Sequence, residues 1–207
     1  MELTFLLYPG VEPIDLAAIG VISMARRVIP ALSYQTVAVS AAAVELSNGL
    51  RVLPDRSFDE LRHADVLLVP GGPGWRAASQ DEQTLAFIRR LAPACTTVAS
   101  VCTGAMILAA AGVLDGLDAT SKVEVVPPEL PPLTELAQAY PTVRTRKALV
   151  VDTGRVVTGG GVSLCIDTTL HLLAGRFGAK RAAEVARILE YGAAQAANQA
   201  RLPTVVV

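Results

Sequence analysis

The sequence predicts a doubly wound α/β fold, a mostly parallel sheet with helices on both faces. Three observations predict it. Short continuous apolar runs such as Leu3-Thr4-Phe5-Leu6-Leu7 and Val66-Leu67-Leu68-Val69 have the composition of strands buried on both faces. These runs alternate with segments of helical period, of which residues 81–91 are the clearest. At Cys102 a small, β-branched strand (Val98 to Val101) turns directly into a run of helix formers (Ala105 to Ala111) with no linker between them.

The first strand, residues 3–7, stops at Pro9-Gly10. Ile14, Ala18, Val21 and Ile22 then fall near one face of a helix that runs through Val28. Asp15 stands where that helix begins. It fits a helix cap and fits equally a carboxyl at the C-terminal edge of a first parallel strand, where open α/β sheets bind ligands. Residues 34–40 form the second strand. Residues 44–52 form a hairpin, because Asn48-Gly49 suits the left-handed positions of a tight turn. Residues 55–61 are a connector, and His63 beside them is a surface residue. The strand at 66–70 ends in Gly71-Gly72-Pro73-Gly74. Glycines just past a strand let backbone N–H groups approach a ligand, as one arm of an oxyanion hole, or simply make a tight turn. Trp75, the only tryptophan, is placed to wall a pocket or to pack locally. Cys95 follows the 81–91 helix in a loop.

Beyond Cys102 the helix runs to Ala111 and ends at Gly112. Residues 119–122 form a short strand returning towards Cys102. Pro127-Pro128 and Pro131-Pro132 bracket an irregular loop, and residues 133–140 are helical. Strands at 148–152 and 156–158 are joined by a Thr153-Gly154-Arg155 turn. Gly159-Gly160-Gly161 precedes a helix at 163–177 that carries Cys165, Asp167 and His171, the last among leucines as a packing residue. A final helix at 180–197 leads to Thr204-Val205-Val206-Val207, which pairs with a sheet edge or frays. With no repeat and no low-complexity linker, residues 1–207 read as one domain.

The Cys102 corner is a cysteine version of a nucleophile elbow. A residue at such a corner is forced into strained backbone with its side chain clear of the main chain, and small neighbours are needed where strand and helix crowd. Ser100 and Gly104 supply them. Sulfur at a helix N-terminus is expected to have a lowered pKa.

Bulk properties narrow the function. Lys and Arg total 18 against 19 Asp and Glu, for a net charge of −1, and no basic stripe exists. That removes the electrostatic footprint of nucleic-acid binding. Mean hydropathy is +0.45, as strands buried on both faces require. No apolar run approaches the roughly 20 residues that cross a bilayer, so no membrane association is expected. Met1-Glu2 begins directly on a strand with no basic leader. Three cysteines at irregular spacing match neither a disulfide framework nor a zinc site. A reducing, cytoplasmic setting is therefore expected.

Tyr8-Pro9-Gly10-Val11-Glu12-Pro13-Ile14-Asp15-Leu16, Val69-Pro70-Gly71-Gly72-Pro73-Gly74, Val101-Cys102-Thr103-Gly104-Ala105, Ala111-Gly112-Val113-Leu114-Asp115-Gly116 and Val157-Thr158-Gly159-Gly160-Gly161-Val162 together resemble the ThiJ/PfpI family of the class I glutamine-amidotransferase-like superfamily. The resemblance covers nearly the whole chain, including Leu189-Glu190-Tyr191. Within the family, Asp15 with Cys102-Thr103 is most similar to the isonitrile hydratase group. The resemblance implies a flavodoxin-like sheet, a homodimer, and no metal or organic cofactor. It implies that Cys102 is the nucleophile, Asp15 its acidic partner and Thr103 the neighbouring threonine, with anion-binding amides at Gly72 and Thr103. Gly71, Gly72, Trp75, Ser121 and Lys122 are the expected substrate-binding residues.

Three departures bear on the substrate. Ala17-Ala18-Ile19-Gly20 stands where family members often carry Gly-Pro. Thr120-Ser121-Lys122-Val123 replaces a common Thr-Thr-His-Trp, so an imidazole is missing and Lys122 either holds a thiolate by charge or sits at the surface. Residues 123–133 are proline-rich where relatives are helical. A late His-x-Glu is absent, which removes glutamine hydrolysis.

The implied activity is hydration of a small-molecule isocyanide to an N-substituted formamide, with Cys102 attacking the carbon, a protonated Asp15 supplying the proton, and a thioimidate between. Two other enzyme readings use the same elbow: a hydrolase with a Cys102–Asp152–His171 triad, and glyoxalase or deglycase chemistry on α-oxoaldehydes. A non-enzymatic reading is a redox sensor or small-ligand binding protein built on a low-pKa thiol.

Overall fold

The computed structural model describes residues 1–207. In chain order its elements begin with β1 (Glu2–Leu6), α1 (Ala17–Ala25), β2 (Ser33–Ala38), the hairpin strands β3 (Val44–Glu45) and β4 (Arg51–Val52), and β5 (Arg56–Ser57). Then come β6 (Ala64–Val69), α2 (Trp75–Ala78), α3 (Glu82–Leu91), β7 (Cys95–Ser100), α4 (Gly104–Ala110) and β8 (Asp118–Ala119). The remainder is α5 (Pro132–Ala139), β9 (Arg144–Thr145), β10 (Val150–Asp152), β11 (Val156–Gly159), α6 (Cys165–Phe177), α7 (Ala179–Ile188), α8 (Gly192–Arg201) and β12 (Thr204–Val206).

Eight strands make one sheet in the order β12-β10-β11-β7-β6-β1-β2-β5. Every pairing in it is parallel except β10 with β11, which the Thr153-Gly154-Arg155 turn joins as a hairpin. The sheet is thus flavodoxin-like and mostly parallel. Because β1, β6 and β7 are neighbours at its centre, their C-terminal ends open side by side. That edge receives the loops carrying Asp15, Gly71-Gly72 and Cys102.

The core explains the sequence pattern. Leu67 and Leu68 on β6 and Ile107 and Leu108 on α4 are all fully buried. α4 is buried all round, which is why its sequence shows no amphipathic period. Truncating Leu108 to alanine there would cost about 2–5 kcal/mol. No helix is long and apolar enough to cross a membrane.

Four local expectations change. Cys95 is not in a loop; it starts β7, pairing with Ala64. The 55–61 connector contains β5, an edge strand too short to show a period. The strand near residue 119 pairs with β9 in a separate two-stranded sheet. The final helix is two helices, broken where Glu190 adopts φ 55° and the chain turns back. The Tyr191 hydroxyl and the Asn198 amide then donate to Asp167 Oδ2 at 2.7 and 2.9 Å, fixing α8 against α6.

Candidate active site

β7 delivers Cys102 to the centre of the open edge. Its φ of 55° is the strained corner that a strand-to-helix elbow demands. The corner is held on both sides: the Cys102 N–H donates to Gly160 O at 3.0 Å, and the Ser121 hydroxyl donates to Cys102 O at 2.8 Å. Gly104 cannot carry a side chain, since a Cβ there would lie 2.0 Å from Val69 O. Only 3% of Cys102 is exposed.

Asp15 comes from a short 3-10 turn, Pro13–Leu16, at the head of α1. It is not the N-cap of that turn, which is Glu12. Its Oδ2 accepts the Gly71 N–H at 2.7 Å, while its buried Oδ1 has no partner. Gly71 is the spacer between acid and sulfur. A Cβ at Gly71 would lie 2.7 Å from Cys102 Cβ and 2.5 Å from Thr103 N, so only glycine lets the two sides meet. Burial pushes the Asp15 carboxyl up to about 7 against the lowering pull of the Gly71 amide, with Glu12 raising it further.

The same burial pushes the Cys102 thiol up to about 11, with the Asp15 charge adding to the rise. The Val162 and Thr103 amides and the Lys122 charge act in the other direction without prevailing. The expectation of a low-pKa thiol is therefore corrected. α4 has seven residues and its dipole does not outweigh desolvation. Burial and the Asp15 charge thus both disfavour the thiolate on which the redox-sensor reading was built.

The expected binding residues divide. Gly72, Trp75 and Lys122 line a cleft of ≈ 530 Å³ with Cys102 and Thr103 at its floor. The Gly72 amide is not free for an anion, because it donates to Thr103 Oγ1 at 3.0 Å. The Gly71 amide is held by Asp15. Ser121 is fully buried, and its hydroxyl faces the Cys102 carbonyl rather than the cleft. Lys122 lays its stem on Gly161 and turns its ammonium group to Glu124 O. The proline-rich segment supplies the opposite wall through Val125, Leu130 and Pro132.

Some residues of the site escaped the sequence reading. Val162 sits at φ 58° with its amide near the sulfur. Three preceding glycines were a visible sign of close backbone approach there. Cys165 is buried beneath Asp15, its thiol 3.6 Å from Ile14 O, and burial pushes it well above the thiol range. The Tyr8 hydroxyl donates to Pro70 O at 2.9 Å, and Tyr8 is held well above the phenol range by burial and by Asp15. Arg76 and Glu135 pair across the cleft, 59 residues apart in sequence, with no local signal to join them.

The Cys102–Asp152–His171 triad is excluded. His171 Nε2 and Asp152 Oδ2 do pair at 2.7 Å. They line a different cavity, of ≈ 630 Å³, together with Thr96 and Thr97 at the start of β7. Cys102 lies past the far end of that strand, about 16 Å away at the rise of an extended chain.

Comparison with known proteins places the chain among relatives of this fold. A family model described as DJ-1/PfpI matches residues 3–174. An isonitrile hydratase of Pseudomonas putida is 36% identical over 194 residues, covering 94% of this chain and 80% of that protein. The HTH-type transcriptional regulator GbdR of Pseudomonas aeruginosa is 29% identical over 76% of this chain, which spans only 41% of the regulator. A crystal structure of a ThiJ/PfpI family protein from Pseudomonas syringae superposes with a TM-score of 0.78 at 28% identity, over 92% of this chain and 74% of that one.

Proposed function

The chain belongs to the DJ-1/PfpI family, and from that premise we propose that it hydrates a small-molecule isocyanide to an N-substituted formamide, with Cys102 as nucleophile and Asp15 as proton carrier. The observation that carries this reading is the Asp15–Gly71–Cys102 contact, a neutral thiol and a carboxyl poised near pH 7 on either side of one glycine.

Addition to an isocyanide carbon needs a nucleophile and a proton at the same atom. The Asp15 carboxylate takes the proton from the Cys102 thiol as sulfur bonds to carbon, then returns it to that carbon. The product is a thioimidate, Cys102–S–CH=N–R. Asp15, ionised again, draws a proton from water as the water oxygen attacks the same carbon, and passes that proton to nitrogen. The C–S bond breaks as the carbinol collapses to the formamide, and its hydroxyl proton returns to sulfur. No oxidant, metal or organic cofactor enters the balance. A carboxyl near 7 suits this work, because it is a stronger base than an ordinary carboxylate and still a competent acid at neutral pH, and taking the thiol proton as the S–C bond forms avoids a free thiolate. The Thr103 amide, on the floor of the cleft, is the donor assigned to developing charge.

The lining supports a substrate with an apolar substituent, since Trp75, Val125, Leu130, Pro132 and Val162 line the cleft that holds the sulfur. In this reading residues 1–207 act as one catalytic domain, working as a homodimer. The test is formamide production from cyclohexyl isocyanide, run beside methylglyoxal consumption. Formamide release that disappears in Cys102→Ala and nearly disappears in Asp15→Asn supports the assignment. Consumption of methylglyoxal alone would replace it with deglycase-type chemistry.

A further inference from the structure

The cleft has two walls from distant parts of the chain. One is α2 with Trp75 and Arg76, and the other begins with α5 and Glu135. Arg76 Nη2 lies 2.6 Å from Glu135 Oε1, and the guanidinium carbon sits 4.3 Å from the centroid of the Trp75 ring. All three residues line the cleft that holds Cys102. The Arg76 side chain is 64% exposed and that of Glu135 19%, whereas Cys102 is 3% exposed. The pair therefore lies at the mouth and the sulfur at the floor.

We propose that Arg76, stacked on Trp75 and paired with Glu135, is a strap across the cleft mouth that sets the size of substituent reaching Cys102. An ion pair this exposed contributes little to folding, because solvent screens it and two long side chains must be held. Its placement does more. It joins the two walls of the cleft that holds the sulfur, and stacking on the indole narrows the directions the guanidinium samples. A slender substituent passes beneath it, while a bicyclic one meets the guanidinium plane. The strap is also inexpensive to open, so a substrate that displaces it loses affinity rather than being barred outright. The substrate's identity rests on the isocyanide reading; the strap itself does not.

The experiment has two arms, each read as a ratio of bulky to small reagent. In the first, kcat/KM is measured for adamantyl and for ethyl isocyanide. In the second, Cys102 is alkylated with a fluorescein maleimide and with iodoacetamide, using Cys102→Ala to subtract any labelling of Cys95 and Cys165. Arg76→Ala is expected to raise both ratios about tenfold. Glu135→Gln, which keeps shape and loses charge, is expected to raise them less. Ratios equal to those of the unaltered protein in both folded variants would overturn the strap. If ethyl isocyanide is not turned over but the alkylation ratio rises, the substrate reading fails and the strap stands.

Discussion

Cys102 and Val162 face each other in the same strained conformation, at φ 55° and 58°. The Cys102 N–H is fixed by Gly160 O, two residues before Val162, and the Val162 amide favours the Cys102 thiolate. A β-branched residue with positive φ is a genuine outlier, costing on the order of 1–3 kcal/mol. The fold tolerates that cost where the ends of β7 and β11 meet, which places a backbone donor beside the sulfur. Val162→Asn, which tolerates this conformation, should raise stability by about 1 kcal/mol. Urea unfolding measures the gain. A destabilised Val162→Asn would mean that the backbone at this position carries no strain worth releasing.

Most of the fold was legible in the sequence because its signals are local. The continuous apolar runs at β1 and β6 and the strand-to-helix junction at Cys102 each speak through adjacent residues. What escaped was set by tertiary contact. The break before Gly192 depends on Asp167 receiving Tyr191 and Asn198, and the Arg76–Glu135 pair depends on how α5 is carried across the cleft. The thiol was misread for the same reason. A helix N-terminus is visible in sequence, whereas desolvation and a carboxyl from another loop are not.

Removing the Asp15 charge should move two measurements in opposite directions. That carboxylate raises the Cys102 thiol, so Asp15→Asn should increase the thiolate fraction at pH 8 and accelerate alkylation by iodoacetamide. Isocyanide turnover should fall at least about a hundredfold, because no group remains to carry the proton to carbon. Alkylation and turnover falling together would indicate a collapsed cleft instead of a lost proton carrier.

Thr103 is predicted to act through Gly72. Its Oγ1 is the acceptor for the Gly72 N–H, at 3.0 Å in a buried setting. Thr103→Val keeps the volume and removes the acceptor, leaving a buried amide unpaired at a cost of about 1–3 kcal/mol. Thr103→Ser restores the oxygen and should recover most of that loss. Equal stabilities for the two variants in urea titrations would show that the contact does not hold the glycine loop.

His171 separates the rival triad from the proposed site by experiment. Its partner is Asp152, at the opposite edge of the sheet. Both side chains are about one-quarter exposed, so losing the pair should cost no more than about 1 kcal/mol. His171→Ala should therefore turn over cyclohexyl isocyanide with unchanged kcat and KM. A loss of an order of magnitude or more in kcat would bring the hydrolase reading back.

The buried acid at the site should also be visible in the pH dependence of stability. Burial raises Asp15 from its ordinary 3.8 to about 7 in the folded chain. Between those values the folded protein holds a proton there that the unfolded chain has released. Stability from this residue is thus fully present below about pH 4 and is lost as pH rises through 7, a change of roughly 4 kcal/mol at about 1.4 kcal/mol per pKa unit. Asp15→Asn is neutral throughout and lacks this loss. The variant's stability relative to the unaltered protein should therefore climb from pH 4 to pH 7 and level off above, by urea unfolding across that range. A flat difference would mean that Asp15 ionises at its ordinary pH. It would then be a carboxylate throughout the neutral range, too weak a base to take the Cys102 proton and return it to carbon.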